Sequence, residues 1–521
     1  MKINNFYNFK NPVRHFLNIN NMSYPTRVDE MGIKDLSWTE PINFRVRKED
    51  NKYRTLKMPN ILNFYCAYNR FKNARNFVDI SSIDTHKRIV PNLDTGDFAT
   101  GVYDEQLEND FQELCVYDKL VKLDIKSYYE RIYTHDIKFE NAGDENYLTN
   151  LNSGNTNGLI MGNYISLYFA EKYLKDISDE IEVRLKEGKV ECSFSYFSDD
   201  FYFFCNEKNN ENVIRIFDAV LEKYNLERND GKIESWTYLT YNNYHLSEKY
   251  WKKIISDCKS RYDENRNDNK LYFSNQLIYR MSNLKDNKLQ KTFLNTFFKS
   301  TYFHDLDIKK FAIEVFNYHQ LCYIFKFSPE TMLYSINHFK HVDLFSGEKF
   351  KKFLKVRYTE VLSKSFNEEQ LYYYYTIKIL GFNCILEETV DIVVESNNQL
   401  LVSYYLKDNL FNSDYILKLK SKNEERYWFQ NYHLILYSDL INDLENSISK
   451  YLMPAYATTN RQKTSYEEFY RINLKSSISL LKDIETISVN INEYMESLIS
   501  ERVEVFGETE DEDYMVEDNE F

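Results

Sequence analysis

An α+β amino-terminal part followed by an all-α remainder is the fold class that the sequence predicts. Three observations predict it. Strand-like apolar runs, Leu120–Leu123 and the pair 191–197 and 201–205, stand in the first half of the chain. Beyond about residue 250, apolar residues recur at three- and four-residue spacing between short connectors. Only 12 Gly and 7 Pro occur in 521 residues, among many Lys, Glu, Asn and Leu, which favours long helices. A chain of this length exceeds a usual single domain, and its 43% apolar content is enough for substantial cores. The expected divisions are 1–250, 251–503 and a tail, 504–521.

Residues 1–90 are basic, with 16 Lys plus Arg against 8 Asp plus Glu, a balance of +8. The whole chain carries −14, so the rest carries −22. A basic segment beside an acidic remainder is what a localised phosphate-binding surface requires. Arg45, Arg47, Lys48, Lys52, Arg54 and Lys57 are interspersed with apolar residues before Met58-Pro59-Asn60. Lys87 and Arg88 precede Ile89-Val90-Pro91-Asn92. A solvated basic face would give the same pattern at any single residue.

Asp124 closes the strand-like run Leu120-Val121-Lys122-Leu123 and opens Asp124-Ile125-Lys126-Ser127-Tyr128-Tyr129. A loop with Gly154, Gly158 and Gly162 follows, where backbone can approach a ligand closely. It feeds an amphipathic helix expected from about Tyr164 to Glu187, with Gly188 placed to end it as the C′ residue. Two adjacent aspartates, Asp199 and Asp200, then sit at the tip of an aromatic hairpin, between Ser193-Phe194-Ser195-Tyr196-Phe197 and Phe201-Tyr202-Phe203-Phe204. Asp-Asp is also ordinary turn chemistry. Side-by-side like charges on such a hairpin are costly unless solvent, protonation or a cation relieves them. Three carboxylates at strand ends supply the hard oxygen ligands that a divalent ion prefers.

After residue 250 the helical segments expected are 274–284, 289–298, 308–325, 330–339, 348–362, 367–380, 389–394, 425–452, 465–482 and 489–499. His304, His319, His338 and His341 lack ligand spacing and read as structural. The seven cysteines form no Cys-X-X-Cys pair and read as buried thiols of a reducing compartment. Neither a signal peptide nor an apolar run of transmembrane length is evident, so a cytoplasmic protein without a membrane partner is expected. Residues 504–521 hold nine acidic side chains and no basic one, a composition expected to be solvated and disordered.

In this order the motifs resemble the palm of reverse transcriptases. Asp124 through Tyr129 matches an aspartate followed by an aromatic stretch. Gly158, Leu159, Gly162 and Ser166 match a Gly-Leu-Pro-Gln-Gly-like loop with its following serine, although Ile160-Met161 stands for Pro-Gln. Phe197-Ser198-Asp199-Asp200 matches Tyr-X-Asp-Asp with phenylalanine for tyrosine, and Lys232 matches a lysine after a helix. The wording Asp124-Ile125-Lys126-Ser127-Tyr128-Tyr129-Glu130-Arg131 is most similar to bacterial abortive-infection and defence-associated reverse transcriptases. The resemblance covers about residues 40–245 by motif and the remainder by architecture only.

That resemblance implies a right-hand polymerase, fingers and palm, followed by an all-α HEAT-like helical repeat domain. It implies a DNA polymerase of antiviral defence that uses a noncoding RNA or no template, with Asp124, Asp199 and Asp200 holding two Mg²⁺ ions or Mn²⁺ in their place. Lys232 would serve the pyrophosphate leaving group, and Tyr129 would exclude a 2′-hydroxyl. Ile125, Gly162, Ser166, Lys87 and Arg88 would contact deoxynucleoside triphosphate or template. Relatives also imply homo-oligomers, a companion RNA and DNA started on a protein tyrosine, for which Tyr514, Tyr7 and Tyr24 are the candidates. Two other readings are a retron- or intron-like enzyme with a nucleic-acid primer and a catalytically inactive RNA-binding scaffold.

Overall fold

The computed structural model describes residues 12–49, 52–72, 84–89, 102–249, 277–279, 281–284, 287–299, 303 and 318–506. It is a mixed α/β structure; among the described residues the strands all precede residue 237 and the later part is helical.

β1 (Ile42–Glu49) and β2 (Lys52–Met58) pair as an antiparallel hairpin, from Ile42 opposite Met58 to Arg47 opposite Tyr53, with a bulge between Arg47 and Glu49. The strands β3 (Lys119–Asp124), β4 (Cys192–Phe197), β5 (Asp200–Cys205) and β6 (Glu234–Trp236) form an antiparallel sheet in the order β4-β5-β3-β6. The same part of the chain carries the helices α1 (Ile61–Lys72), α2 (Val102–Val116), α3 (Tyr164–Glu187), α4 (Asn210–Lys223) and α5 (Tyr238–Lys249).

Side chains alternate across this sheet. Val121, Leu123, Phe194, Tyr196, Phe201 and Phe203 are buried on one face, where the Phe217 ring of α4 meets Phe201 and Phe203 at 5.2 and 5.7 Å. The other face carries Leu120, Lys122, Asp124, Asp200, Tyr202 and Phe204. Leu120 and Phe204 are covered there by Phe111 and Leu114 of α2 and Tyr241 of α5. The two helices thus occupy one end of this face, and the aspartates stand at the other.

α3 spans Tyr164–Glu187 as expected, but its end differs. Gly188 keeps right-handed helical geometry, and Lys189 takes the left-handed position at φ 51°. Val190 N donates to Leu185 O and Lys189 N to Lys186 O, so the Schellman closure has lysine, not glycine, at C′.

Beyond the sheet the longer helices are α6 (Asn287–Phe298), α7 (Tyr318–Phe327), α8 (Glu330–Phe339), α9 (Glu348–Ser363), α10 (Asn367–Ile379), α11 (Gln399–Lys407), α12 (Ser413–Ser421), α13 (Trp428–Leu436), α14 (Leu444–Tyr451), α15 (Asn460–Lys475) and α16 (Ile484–Phe506). One apolar core runs from Phe16 through Phe201 to Ile491. Polar stitches cross the same seam. Ser37 N donates to the Tyr466 hydroxyl at 3.0 Å, Asn60 Nδ2 to the Tyr470 hydroxyl at 2.7 Å, and Arg45 N to Asn367 Oδ1 at 2.7 Å. The basic hairpin is therefore fastened to α10 by its backbone. Among the described residues no helix is long and apolar enough to cross a membrane.

Candidate active site

The β3–β5 register sets Asp124 directly opposite Asp200. In an antiparallel ladder such a pair projects from the same face, with Cβ atoms roughly 4.5–5.5 Å apart. Asp199 occupies the two-residue turn between β4 and β5, and its neighbour Ser198 has φ 54°. A positive φ in so short a loop belongs to the primed turns that match strand twist. Asp199 O accepts from Ile125 N at 3.0 Å, which ties the hairpin tip to the end of β3. Three carboxylates are thereby drawn to one sheet end by main-chain bonds.

Their charges are coupled. Burial, reinforced by Asp200 and Asp124, holds the Asp199 carboxyl above its ordinary range. Two ammonium groups answer this repulsion. Lys232 Nζ lies 2.5 Å from Asp124 Oδ2, and Lys122 Nζ lies 3.0 Å from Asp200 Oδ2. Burial alone would lower the Lys122 ammonium, but Tyr202 and Asp200 outweigh it and hold it above its usual value. Asn229 Nδ2 donates to Asp124 Oδ1 at 2.8 Å, and Asn229 N to Asp124 O at 2.8 Å.

As oxygen donors, three carboxylates that repel one another suit a hard divalent ion. Their present orientation serves the lysines instead. Among the described residues no group of three or more His, Cys, Asp or Glu is arranged to hold a metal. The donor set fits such an ion in kind; ligation requires Lys232 and Lys122 to turn aside.

The glycine loop lies against the segment that follows Asp124. Leu159 N donates to Tyr129 O at 2.7 Å and Gly158 N to Ile132 O at 2.9 Å. Gly158 has φ 84°, and a Cβ on it would stand 3.2 Å from Glu130 O, so glycine is required for this approach. Met161 O accepts from Lys57 N at 2.7 Å, joining the loop to the foot of β2. Tyr129 is half-buried beside this loop. Burial first, then Glu171 and Asp199, raises its hydroxyl well above the ordinary tyrosine range.

Several expected contacts are placed elsewhere. The Lys87 side chain is 1% exposed and meets Glu171 Oε2 at 2.5 Å beneath the sheet, so it cannot reach a triphosphate. Arg88 is buried against Asp110, donates to Ser195 Oγ at 3.0 Å and lies 4.0 Å over the Tyr202 ring. It braces the sheet against α2. Ile125 and Ser166 are buried, and Ser166 N is spent on the Asn163 cap of α3. Gly162, at φ 112°, remains in the loop beside the site. Tyr24 is stacked on Tyr65 at 3.7 Å, and burial raises its hydroxyl well above the ordinary range, which corrects its expected role as a mobile nucleophile. Tyr7 and Tyr514 lie outside the described residues.

Sequence reasoning missed Lys122 and Asn229. Lys122 was findable, since two residues before Asp124 on a strand is the same face. Asn229 carried no signal beyond its place three residues before Lys232.

No protein-family model and no curated protein matches the chain. Among solved structures, similarity is found to telomerase from Candida albicans with the TWJ fragment of telomeric RNA, at 12% identity and TM-score 0.27, covering 73% of this chain and 66% of that one. It is also found to apo telomerase from Candida tropicalis, at 11% identity and TM-score 0.29, covering 74% and 69%. The chain spans just under two thirds of the first of these. Likeness this slight bears on neither fold nor activity.

Proposed function

We propose that the chain is a nucleotidyltransferase of the reverse-transcriptase type, a DNA polymerase whose centre is Asp124, Asp199 and Asp200. The observation that supports this best is the juxtaposition of Asp124 and Asp200 across one rung, with Asp199 in the adjoining turn. These carboxylates would hold two Mg²⁺ ions, which supply Lewis acidity at the attacking and leaving oxygens of a phosphoryl transfer. Asp199 would enter this role as a carboxylate that burial and its neighbours hold above its ordinary range. Lys232, released from Asp124, would stand where a departing pyrophosphate needs a cation or a proton. Asn229 keeps Asp124 oriented when Lys232 leaves it. Tyr129 is the ring that would press on the sugar of an incoming deoxynucleotide, held by Leu159 through its carbonyl.

Antiviral defence, a noncoding RNA or absent template, homo-oligomerisation and priming from Tyr7 or Tyr514 belong to this proposal through the motif resemblance alone. A retron- or intron-like enzyme differs in leaving a free DNA 5′ end, which protease digestion and mass spectrometry of the product distinguish. One observation favours a catalytically inactive scaffold as a second reading: Lys232 and Lys122 already neutralise two of the carboxylates.

The test is incorporation of labelled deoxynucleotides by purified protein with Mg²⁺. The Asp199→Ala, Asp200→Ala double variant is expected to lose incorporation while keeping the wild-type melting temperature. Equal incorporation by that variant, or none by the wild-type protein with its bound nucleic acid, contradicts the proposal.

A further inference from the structure

A cavity of about 340 Å³ lies where the β1 strand meets helices α6, α7, α9 and α10. None of the three aspartates lines it. Six cationic side chains do: Arg47, Lys48, Lys291, Lys326, Arg357 and Lys364. Among the described residues two lining carboxylates, Glu360 and Glu369, oppose them. In a chain of net charge −14, this concentration of positive charge is a local inversion.

The two carboxylates are committed. Glu369 is buried and accepts from Arg47 at 2.8 Å. Glu360 is shared by Arg357 at 2.5 Å and Lys364 at 2.8 Å. Lys48 and Lys326 are exposed at the rim, and Lys326 also acts on Glu360 through its charge without a direct ion pair. Cations gathered in a concave site repel one another, and an anionic ligand relieves that repulsion while releasing its own counterions.

The wall also carries aromatic surface. Tyr323 is 44% exposed, and its ring lies 6.2 Å from Phe327 at an interplanar angle of 17°. Both rings line the cavity. Arg47 is held from the other side, with its guanidinium 4.5 Å over the Phe366 ring. Phosphate-binding cations beside an exposed, braced aromatic face are the combination that holds unpaired nucleic acid, because every base has a face to stack.

We infer that this cavity binds single-stranded nucleic acid, with backbone phosphate against Lys48, Lys326 and Arg357 and a base against Tyr323. The hairpin provides a path to it. The Asn43–Lys57 rung adjoins the glycine loop through Met161, and the Arg47–Tyr53 rung stands at the cavity. About 13 Å of strand separates the two rungs. A strand leaving the aspartates along the hairpin would meet the cavity next. The inference rests on the polymerase reading for the direction of that path, whereas the binding itself requires no catalysis.

The test is fluorescence anisotropy of a labelled oligothymidylate and a labelled oligouridylate with the full chain, without deoxynucleotide, across a salt series. The Lys48→Glu, Lys326→Glu variant is expected to bind at least about tenfold more weakly and to lose about 1.4 units of the salt slope, roughly 0.7 for each phosphate contact. Tyr323→Ala is expected to weaken binding about tenfold at unchanged salt slope. Wild-type affinity and slope in both variants, with unchanged melting temperatures, overturns the inference. So does displacement of the oligonucleotide by inorganic pyrophosphate at the oligonucleotide's own affinity, which would mark a small-anion site. Incorporation measured in parallel separates the two claims. Variants that bind normally while wild-type protein polymerises refute only the cavity, and weakened binding without any incorporation refutes only the polymerase.

Discussion

Lys232 Nζ sits 2.5 Å from Asp124 Oδ2, so the residue expected to meet the leaving group is the counterion of a candidate metal ligand. A lysine so placed competes with any cation for Asp124. Nearly half of the Lys232 side chain is exposed, so turning away from Asp124 leaves its ammonium solvated.

Two opposite effects should therefore follow from Lys232→Gln. Half-saturation by Mg²⁺ should shift to lower concentration, because the competitor is gone. The rate at saturating metal should fall by about 10²-fold, the lower range for a lost proton donor. Steady-state kinetics at varied Mg²⁺ measure both, and a lysine that is only structural would leave the saturated rate unchanged.

Sugar discrimination should rest on Tyr129. Its carbonyl is fixed by Leu159 N, and its ring is half-buried beside Asp199, so the side chain has little room to yield. Tyr129→Ala should admit ribonucleotides, raising their use relative to deoxynucleotides at least about tenfold, or about 1.4 kcal/mol of discrimination lost. Competition assays with paired nucleotides read this ratio; an unchanged preference removes Tyr129 from the role.

Acid should loosen the helical part. His433 is fully buried, and burial, despite the Phe429 carbonyl at 2.9 Å, depresses its imidazole to about 3. Between pH 6.5, its unfolded value, and about 3, the unfolded chain binds a proton that the folded one refuses. Stability is therefore complete above pH 6.5 and falls with acidification through that window, by up to about 1.4 kcal/mol per pH unit. Burial lowers His15 in the same direction. Melting temperature against pH should show the decline, with a shallower slope in His433→Gln.

The carboxylate geometry was legible in the sequence because strand alternation is rigid. Once β3 and β5 are adjacent, apolar positions 121, 123, 201 and 203 fix one face and leave Asp124 and Asp200 on the other. Other elements were hidden for definite reasons. Residues 399–406 of α11 are all buried, so no polar stripe marks the helix. The stretch 425–452 reads as one helix, yet α13 ends at Leu436, and Ser438 caps the 3-10 turn Asp439–Asp443 before α14. Lys87 and Arg88 could not be placed by charge alone. Their partners, Glu171 and Asp110, lie 84 and 22 residues away and meet them only through the fold.

Joint ligation of divalent ions by Asp124, Asp199 and Asp200 is read out by titrating the full chain with Mn²⁺ and counting bound ions by electron paramagnetic resonance, in the presence of a non-hydrolysable deoxynucleoside triphosphate. Two ions per chain are expected in the wild-type protein, and loss of both in Asp199→Asn, Asp200→Asn at an unchanged melting temperature. Equal Mn²⁺ uptake by wild-type and variant protein, or none by either, would contradict it.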